Sequence, residues 1–105
     1  VGVDISSKKN KIAEIAYWLS KKYNGRGIMT RAVQAMEKLA FENMDVNRIE
    51  IIMDTKNSRS ESVARRNKYL CEGVRRQSYM FRGKLCDVFV YSKLKSEWEK
   101  ENKNA

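Results

Sequence analysis

The sequence predicts an α/β fold: a mixed, largely antiparallel sheet with one central parallel pair and helices packed against it. Three observations carry this prediction. Ile12–Leu19 is rich in β-branched and aromatic residues, and the apolar residues take helical spacing from Gly27 onward. A second strand-like run, Arg48–Thr55, follows that helix. Finally, two extended runs flank a turn at Arg82–Lys84, which indicates a hairpin. The predicted order is β-β-α-β-α-β-β, in which each strand–helix–strand step makes a crossover.

The first half of the chain contains the longest predicted helix. Val1–Ile5 is expected to be a strand, and Ile12–Leu19 a second one. The helix places one set of residues toward the core: Met29, Ala32, Val33, Met36, Leu39, Ala40 and Met44. The set expected to face solvent is Arg31, Gln34, Glu37, Lys38 and Glu42.

The second half is predicted to end in a hairpin and a charged tail. Arg48–Thr55 is followed by a short helix over Asn57–Asn67, which Asn57 or Ser58 caps. Tyr69–Met80 and Cys86–Leu94 form the two hairpin strands. Residues 96–105 are mostly charged, so we expect this tail to fray.

Composition excludes several function classes. The 105 residues make one domain at most, and no apolar run is long enough for a transmembrane helix, so no membrane association is expected. The chain has no histidine, and its two cysteines, Cys71 and Cys86, form no Cys-x-x-Cys pair. The usual zinc sites and any Ser-His or Cys-His nucleophile are therefore excluded. The thiols are expected to be buried, in a reducing cytoplasm, although a disulfide is left open.

The positive charge is concentrated in one segment. The net charge is +9, and the segment from Lys56 to Lys84 holds nine basic and only two acidic residues. Such a field attracts polyanions or acidic proteins, although a solvated charged surface explains it as well. Tyr79, Phe81 and Arg82 could stack on bases, so a nucleic-acid-binding module is an alternative that rests on charge alone.

A glycine-rich turn joins the second strand to the long helix. Gly25 and Gly27 permit dihedral angles that other residues avoid and let a ligand approach the backbone. The first amides of a helix lack intrahelical partners and carry partial positive charge, to which Arg26 adds a full charge. The turn thus predicts a phosphate site. Glycine spacing alone, however, favours a simple tight connection without a ligand.

Three blocks of sequence resemble the GNAT superfamily of acetyl-CoA-dependent N-acetyltransferases. The first block runs from Ala13 to Leu19 and continues from Tyr23 to Thr30, and the second is Asn47–Ile51. The third comprises Asn57-x-x-Ser60-x-x-Val63-Ala64-Arg65-Arg66-Asn67, Glu72-Gly73-x-x-Arg76 and Gly83-x-x-x-Asp87-x-x-x-Tyr91-Ser92. Within the superfamily, the chain is most similar to the ribosomal-protein N-terminal acetyltransferases that act on terminal serine or alanine.

The resemblance implies a site for acetyl-CoA and no metal. The cosubstrate would lie in a gap between Ile12–Leu19 and Arg48–Thr55, with its pantetheine arm on the backbone of Trp18 and Leu19. Its pyrophosphate would bind the amides of Asn24, Gly25, Arg26, Gly27, Ile28, Met29 and Thr30. Asn57 would hydrogen-bond the pantetheine arm, and Ser60 would protonate the departing thiolate. Tyr79 stands where the subgroup often carries a glutamate base.

The resemblance also implies the acceptor and the extent of the domain. The acceptor would be a primary amine, such as the N-terminus of an acidic or ribosomal protein, and the enzyme would be a homodimer. Family members carry a further strand-helix-helix-strand unit ahead of the position of Val1. Residues 1–95 are therefore expected to be the acetyl-CoA-binding half of a GNAT domain, followed by the tail at 96–105. A non-catalytic CoA-binding remnant is the other alternative.

Overall fold

Five strands form one mixed sheet in the computed structural model, which describes residues 2–16 and 27–103. The elements in chain order are β1 (Gly2–Ser7), β2 (Ile12–Ala16), α1 (Ile28–Asn43), β3 (Arg48–Asp54), α2 (Ser58–Arg66), β4 (Leu70–Phe81), β5 (Lys84–Leu94) and α3 (Lys95–Lys103). The strands lie side by side in the order β1-β2-β3-β5-β4. Only β2 and β3 are parallel, and every other neighbouring pair is antiparallel. The predicted fold class is confirmed.

The parallel pair separates before either strand ends. The ladder between β2 and β3 joins Ile12 to Arg48, Ala13 to Ile49 and Glu14 to Glu50. Beyond this last pair, β2 continues against β1 and β3 continues against β5. Past this point β2 is paired with β1 but no longer with β3, and β3 is paired with β5 but no longer with β2. The result is a fork that opens toward the carboxyl ends of β2 and β3.

One face of the sheet packs against the helices. Its core consists of alternate strand residues and apolar helix residues: Ala13, Ile15, Ile49, Ile51, Met53, Tyr91, Val33, Ala40, Phe41, Val63 and Ala64. Because side chains alternate along a strand, Glu14 and Glu50 point to the opposite face. This alternation separates an apolar helix-covered face from a face that carries charge along its central strands.

The charged C-terminal segment is a helix for most of its length, so the expectation of a frayed tail is wrong for residues 96–103. Trp98 packs its ring on Phe41 of α1, with 5.3 Å between ring centroids. The Leu94 amide donates to Glu97 Oε1 at the start of α3. The Trp98 ring, the Glu97 hydrogen bond and a hydrogen bond from Lys93 to Glu101 therefore hold a segment whose composition alone predicts disorder.

The apolar face of α1 also differs from the predicted one. Glu37, which was expected in solvent, is only 3% exposed, whereas Leu39, which was expected in the core, is 43% exposed. Glu37 accepts a hydrogen bond from Lys93 of β5. Burial of this charge depends on a partner that lies far away in the sequence, and helical spacing carries no information about it.

The expectation of two buried thiols is also wrong. Cys71 is exposed and Cys86 is partly exposed, and both are free. Cys71 lies opposite Tyr91 and Cys86 opposite Tyr79, so the two thiols occupy different ends of the hairpin. Positions 86 and 91 are five steps apart along β5, which is roughly 17 Å and too far for a disulfide.

Candidate functional site at the fork

Both crossover helices begin at the edge where the fork opens. Parallel strands have their carboxyl ends on the same edge of a sheet, and α1 follows β2 while α2 follows β3. The first turns of α1 and α2, which hold the predicted residues Gly27–Thr30, Asn57 and Ser60, are therefore brought to the same edge. This placement follows from the parallel register alone.

The start of α1 suits an anion. Gly27 precedes the helix with a left-handed φ of +68°, and its carbonyl accepts from the Arg31 amide at 3.0 Å. No side chain caps the helix in the part of the chain that the structure describes, and its first turn has no acidic residue. Thr30 Oγ1 is buried there without a hydrogen-bond partner among the described residues. First-turn amides and an unsatisfied hydroxyl are the donors that a phosphate would need.

Several predicted binding residues cannot be placed in this geometry. Trp18, Leu19, Asn24, Gly25 and Arg26 lie outside the described residues. Their roles in holding pantetheine and pyrophosphate stay predictions.

The start of α2 is capped by the residue that the sequence singled out. Asn57 Oδ1 accepts a hydrogen bond from the Ser60 amide at 3.1 Å. This bond fixes the first turn and leaves the Asn57 amide group as the donor that could reach a ligand. Ser60 is only 4% exposed, so its side chain lies against the protein rather than in open solvent.

A buried tyrosine ties α2 to the sheet. The Tyr91 hydroxyl of β5 donates to Glu61 Oε2 at 2.5 Å and accepts from Arg65 Nε at 3.3 Å. Burial, together with the hydrogen bond to Glu61, raises the pKa of Tyr91. The neutral hydroxyl therefore persists and holds α2 in a fixed position next to β3, which fixes Ser60 in turn.

Tyr79 lies near the tip of the hairpin. Tyr79 of β4 lies opposite Cys86 of β5. This pair lies beyond the last β3 residue that pairs with β5, and the Tyr79 side chain is 58% exposed. The fold brings it to the same edge of the sheet as the starts of α1 and α2, but in an open position. Its assignment as the base stays a prediction.

Sequence reasoning missed Glu14, which stands on the last rung of the parallel ladder. Its carboxyl faces away from the helices and lies beside Glu50 where the strands part. Burial raises the pKa of Glu14, and the Glu50 charge raises it further, against an opposing effect of Arg75. A carboxylate whose pKa moves toward neutrality suits proton transfer. In the sequence, Glu14 could have been noticed as a single charged residue between the strand residues Ala13 and Ile15.

Arg48 balances part of the negative charge on this face. Its Nε donates to Glu50 Oε2 at 3.0 Å, and its two terminal nitrogens bind the Glu72 carboxylate. Hydrogen bonds from Arg48 lower the pKa of Glu72. Glu50 and Glu72 therefore share a cation, whereas none of the ion pairs among the described residues includes Glu14.

A cleft of about 430 Å³ lies at the edge where α2 begins, and it is lined by Asp54, Lys56, Asn57, Ser58, Arg59 and Phe81. A second cleft, of about 490 Å³, lies among the helices and includes Trp98 and Asn67. The first cleft adjoins the candidate site through Asn57, whereas none of the predicted site residues lines the second.

Within residues 2–16 and 27–103, no group of three or more His, Cys, Asp or Glu side chains could hold a metal ion. No helix there has both the length and the hydropathy to cross a bilayer.

Known acetyltransferases are similar in sequence to this chain. Residues 1–69 match the model of the acetyltransferase (GNAT) domain. Bacillus subtilis YdaF, provisionally named a ribosomal N-acetyltransferase, is 39% identical over 88% of this chain and 50% of its own length. The ribosomal-protein-serine acetyltransferase of Escherichia coli is 33% identical over 81% of this chain and 48% of its own length.

A solved structure agrees with the fold. The ribosomal α-N-protein acetyltransferase RimL in complex with coenzyme A superimposes with a TM-score of 0.73 and 35% identity, over 81% of this chain and 48% of that one. The chain thus spans about half the length of the relatives that it matches.

Proposed function

We propose that this chain, which belongs to the GNAT family of acetyltransferases, binds acetyl-CoA and forms the cosubstrate-binding half of an N-acetyltransferase. The observation that carries the proposal is the fork between β2 and β3, with the uncapped start of α1 at its open end. The coenzyme A complex of RimL supports it, because that protein shares the fold.

The described residues fit the phosphates of acetyl-CoA. The amides from Gly27 to Thr30 would bind the pyrophosphate together with those of Asn24, Gly25 and Arg26, and the buried Thr30 hydroxyl would gain a partner. The pantetheine arm would enter the fork and pair with the backbone of Trp18 and Leu19 as an added strand. Asn57 would donate its side-chain amide to the arm.

Acetyl transfer would proceed by direct attack of the acceptor amine on the thioester carbon. A C–N bond forms, the C–S bond breaks, and the amine loses a proton to a base. The Ser60 hydroxyl would give its proton to the leaving thiolate. The protein supplies no covalent nucleophile, so catalysis consists of positioning and proton transfer.

Two residues compete for the role of base. Tyr79 holds the position that the family resemblance indicates, but an ordinary tyrosine has a pKa of about 10. Glu14 is half-buried at the fork, with a pKa raised from 4.5. We favour Glu14, because a base whose pKa lies nearer to neutrality is more effective at physiological pH.

The acceptor that we propose is a protein N-terminus. Support comes from two of the relatives, YdaF and the Escherichia coli enzyme, which are named ribosomal acetyltransferases. Homodimer formation and a cytoplasmic location are further proposals that rest on the family resemblance.

Calorimetric titration with acetyl-CoA tests the proposal, with Gly27→Glu as the variant and Ala35→Glu as its control on the exposed side of the same helix. The parent chain and the control should bind, and Gly27→Glu should not, since its carboxylate would lie in the phosphate position. Equal binding by all three chains would contradict the placement.

A second measurement separates the alternatives. Thiol release with a panel of amines would demonstrate transfer, whereas binding without release would favour a non-catalytic remnant. Salt-sensitive binding of single-stranded DNA without acetyl-CoA binding would favour the nucleic-acid module.

A further inference from the structure

The cleft of about 490 Å³ lies at the end of the helices that is remote from the fork. Both crossover helices begin at the fork, whereas this cleft is lined by the later part of α1, by the end of α2 and by Trp98 of α3. Ile28, where α1 begins, and Lys38, which lines the cleft, are ten residues apart, or roughly 15 Å along a helix. A ligand in this cleft would therefore occupy a site separate from the one proposed for acetyl-CoA.

The wall of the cleft contains a buried acceptor that lacks a donor. Asn67 lines the cleft and is only 4% exposed, and its Oδ1 has no hydrogen-bond partner among the described residues. Its Nδ2 donates to Val63 O at 3.0 Å, so the side-chain amide cannot turn over without losing this bond. A buried acceptor without a partner is unfavourable, and a ligand that donates a hydrogen bond to Asn67 Oδ1 would therefore gain affinity.

An aromatic ring lines the same cleft. The Trp98 ring packs on Phe41, with 5.3 Å between ring centroids, and the half-buried side chain also contributes to the lining. Tryptophan rings stack favourably on other flat π-systems, including nucleobases. The cleft therefore suits a ligand with a planar aromatic group.

The charges around the cleft favour an anionic group. Three lining cations take part in no ion pair with another described residue: Lys38, Arg66 and Lys68. Among the lining carboxylates, Glu37 and Glu101 share the ammonium group of Lys93, and Glu42 is left without an ion pair in the described part of the chain. Unpaired cations thus outnumber unpaired carboxylates in the lining, and their field attracts a negative group.

One of these cations occupies a backbone position that favours glycine. Lys68 follows Asn67, the cap at the end of α2, with a left-handed φ of +64°. Its amide donates to Arg65 O at 2.9 Å, as is usual where a helix ends in this conformation. Glycine is the common residue there, because other residues are strained. A lysine at this position lowers stability and adds charge to the cleft, which indicates that the charge has a use.

We propose that the cleft between α1, α2 and α3 binds a nucleotide whose base carries an exocyclic amino group, such as adenosine monophosphate (AMP). The base would stack on Trp98 and donate a hydrogen bond from its amino group to Asn67 Oδ1. The phosphate would pair with Arg66 and Lys68 at the end of α2 and with Lys38 of α1. This binding site goes beyond the proposed acetyl transfer and does not depend on it.

Two other ligands would satisfy fewer of these groups. A polyamine would donate to Asn67 Oδ1, but its ammonium groups would meet the three unpaired lysine and arginine side chains. Inorganic phosphate would pair with those cations and leave both Asn67 Oδ1 and the Trp98 ring without a partner. A nucleotide supplies the hydrogen-bond donor, the ring and the anion together.

Coenzyme A contains an adenine nucleotide of its own, so the experiment has to separate the cleft from the acetyl-CoA site. Calorimetric titrations use AMP, inosine monophosphate (IMP, which has an oxygen in place of the amino group), spermidine and inorganic phosphate. The variant is Lys68→Gly, which removes the charge at a backbone position that suits glycine. The control is Lys11→Gly, which removes the same charge at φ +56° from a residue that does not line the cleft.

AMP should bind the parent chain and Lys11→Gly with affinities within about twofold of each other, and Lys68→Gly about tenfold more weakly. Lys68→Gly should nevertheless melt at a higher temperature than the parent chain, since the backbone strain is relieved, so a loss of affinity could not be ascribed to unfolding. IMP should bind the parent chain about tenfold more weakly than AMP, because its oxygen would face Asn67 Oδ1. Equal affinities for AMP and IMP, an unchanged AMP affinity in Lys68→Gly, or tighter binding of spermidine or phosphate than of AMP would each overturn the inference.

A crossed titration assigns the binding to the cleft. Gly27→Glu, which alters the proposed acetyl-CoA site, should keep its AMP affinity, and Lys68→Gly should keep its acetyl-CoA affinity. Loss of AMP binding in folded Gly27→Glu would show that AMP occupies the acetyl-CoA site, which would refute a separate site. Failure of every chain to bind acetyl-CoA would count against the proposed function alone, so the two proposals can fail independently.

Discussion

Lys93 Nζ lies 3.0 Å from Glu37 Oε2 in the interior of the protein and so joins β5 to α1. Lys93 is 1% exposed and Glu37 3% exposed. Glu101 of α3 accepts a second hydrogen bond from Lys93 at 2.9 Å, and the Tyr69 ring lies 4.9 Å from the ammonium group. Burial raises the pKa of Glu37, and the charge of Lys93 opposes this effect. One cation therefore holds a strand and two helices together.

Loss of only one partner of this pair should be costly. We expect Lys93→Met to lower the free energy of unfolding by about 3–5 kcal/mol, because it leaves the Glu37 charge buried and unpaired. Glu37→Leu combined with Lys93→Met should recover most of this loss, since no buried charge remains. Urea denaturation measures both. The control is Asp45→Asn, which breaks the exposed Lys11–Asp45 pair and should cost less than about 1 kcal/mol; equal costs for Lys93→Met and the control would contradict the argument.

Gly27 is predicted to be required for its backbone conformation. Its φ of +68° is a left-handed value, which costs other residues about 1–2 kcal/mol. Among the described residues, a Cβ there would meet only Arg31 Nη1, at an ordinary 3.6 Å. Gly27→Ala should therefore lower stability by about 1 kcal/mol through strain rather than collision. Gly83→Ala, at φ +78° in open space, should cost as much, and Gly2→Ala, without such a φ, very little. Thermal denaturation of the three variants gives the comparison, and a Gly27→Ala variant as stable as Gly2→Ala would refute it.

Local sequence patterns predicted the order of helices and strands, but they could not predict which residues far apart in the sequence pair with each other. The change from strand composition to helical spacing near Gly27 depends only on neighbouring residues, and so does the Asn57 cap. The Glu37–Lys93 pair spans 56 positions, and the rung between Glu14 and Glu50 exists only after β2 and β3 have paired. Sequence patterns carry no information about such partners. For this reason Glu37 was predicted to face solvent, and Glu14 was not recognised as a site residue.

Two residues at the start of α2 are predicted to have different roles: Asn57 stabilises the helix, and Ser60 takes part in acetyl transfer. Asn57→Ala should destabilise the protein by about 1 kcal/mol, because Asn57 Oδ1 is the acceptor that caps the helix. Ser60→Ala keeps the capped amide and should lower the rate of acetyl transfer far more than it lowers acetyl-CoA affinity. The matched control is Ser62→Ala, which removes an exposed hydroxyl that donates to Ser58 O on the same helix. Kinetics and calorimetry on the same samples measure turnover and affinity. Equal turnover rates for Ser60→Ala and Ser62→Ala would show that Ser60 has no role in the reaction.

Glu14 and Glu72 should affect stability in opposite directions as the pH changes. The pKa of Glu14 is raised from 4.5 in the folded protein, so the native state holds that proton more tightly than the unfolded chain does. Its contribution is complete below pH 4.5 and is lost as the pH rises through the raised value. Glu14→Gln should therefore become more stable than the parent chain as the pH increases over this range.

The pKa of Glu72 is lowered, chiefly by hydrogen bonds from Arg48, so its contribution is present above pH 4.5 and is lost as the pH falls through the lowered value. Glu72→Gln should accordingly be less stable than the parent chain at neutral pH and should approach it in acid. Urea denaturation of the three chains between about pH 3 and pH 7 tests both signs at once. A Glu14→Gln variant that follows the parent curve throughout would show that the carboxyl at the fork is as solvated as a free glutamate, and the case for it as the base would fail.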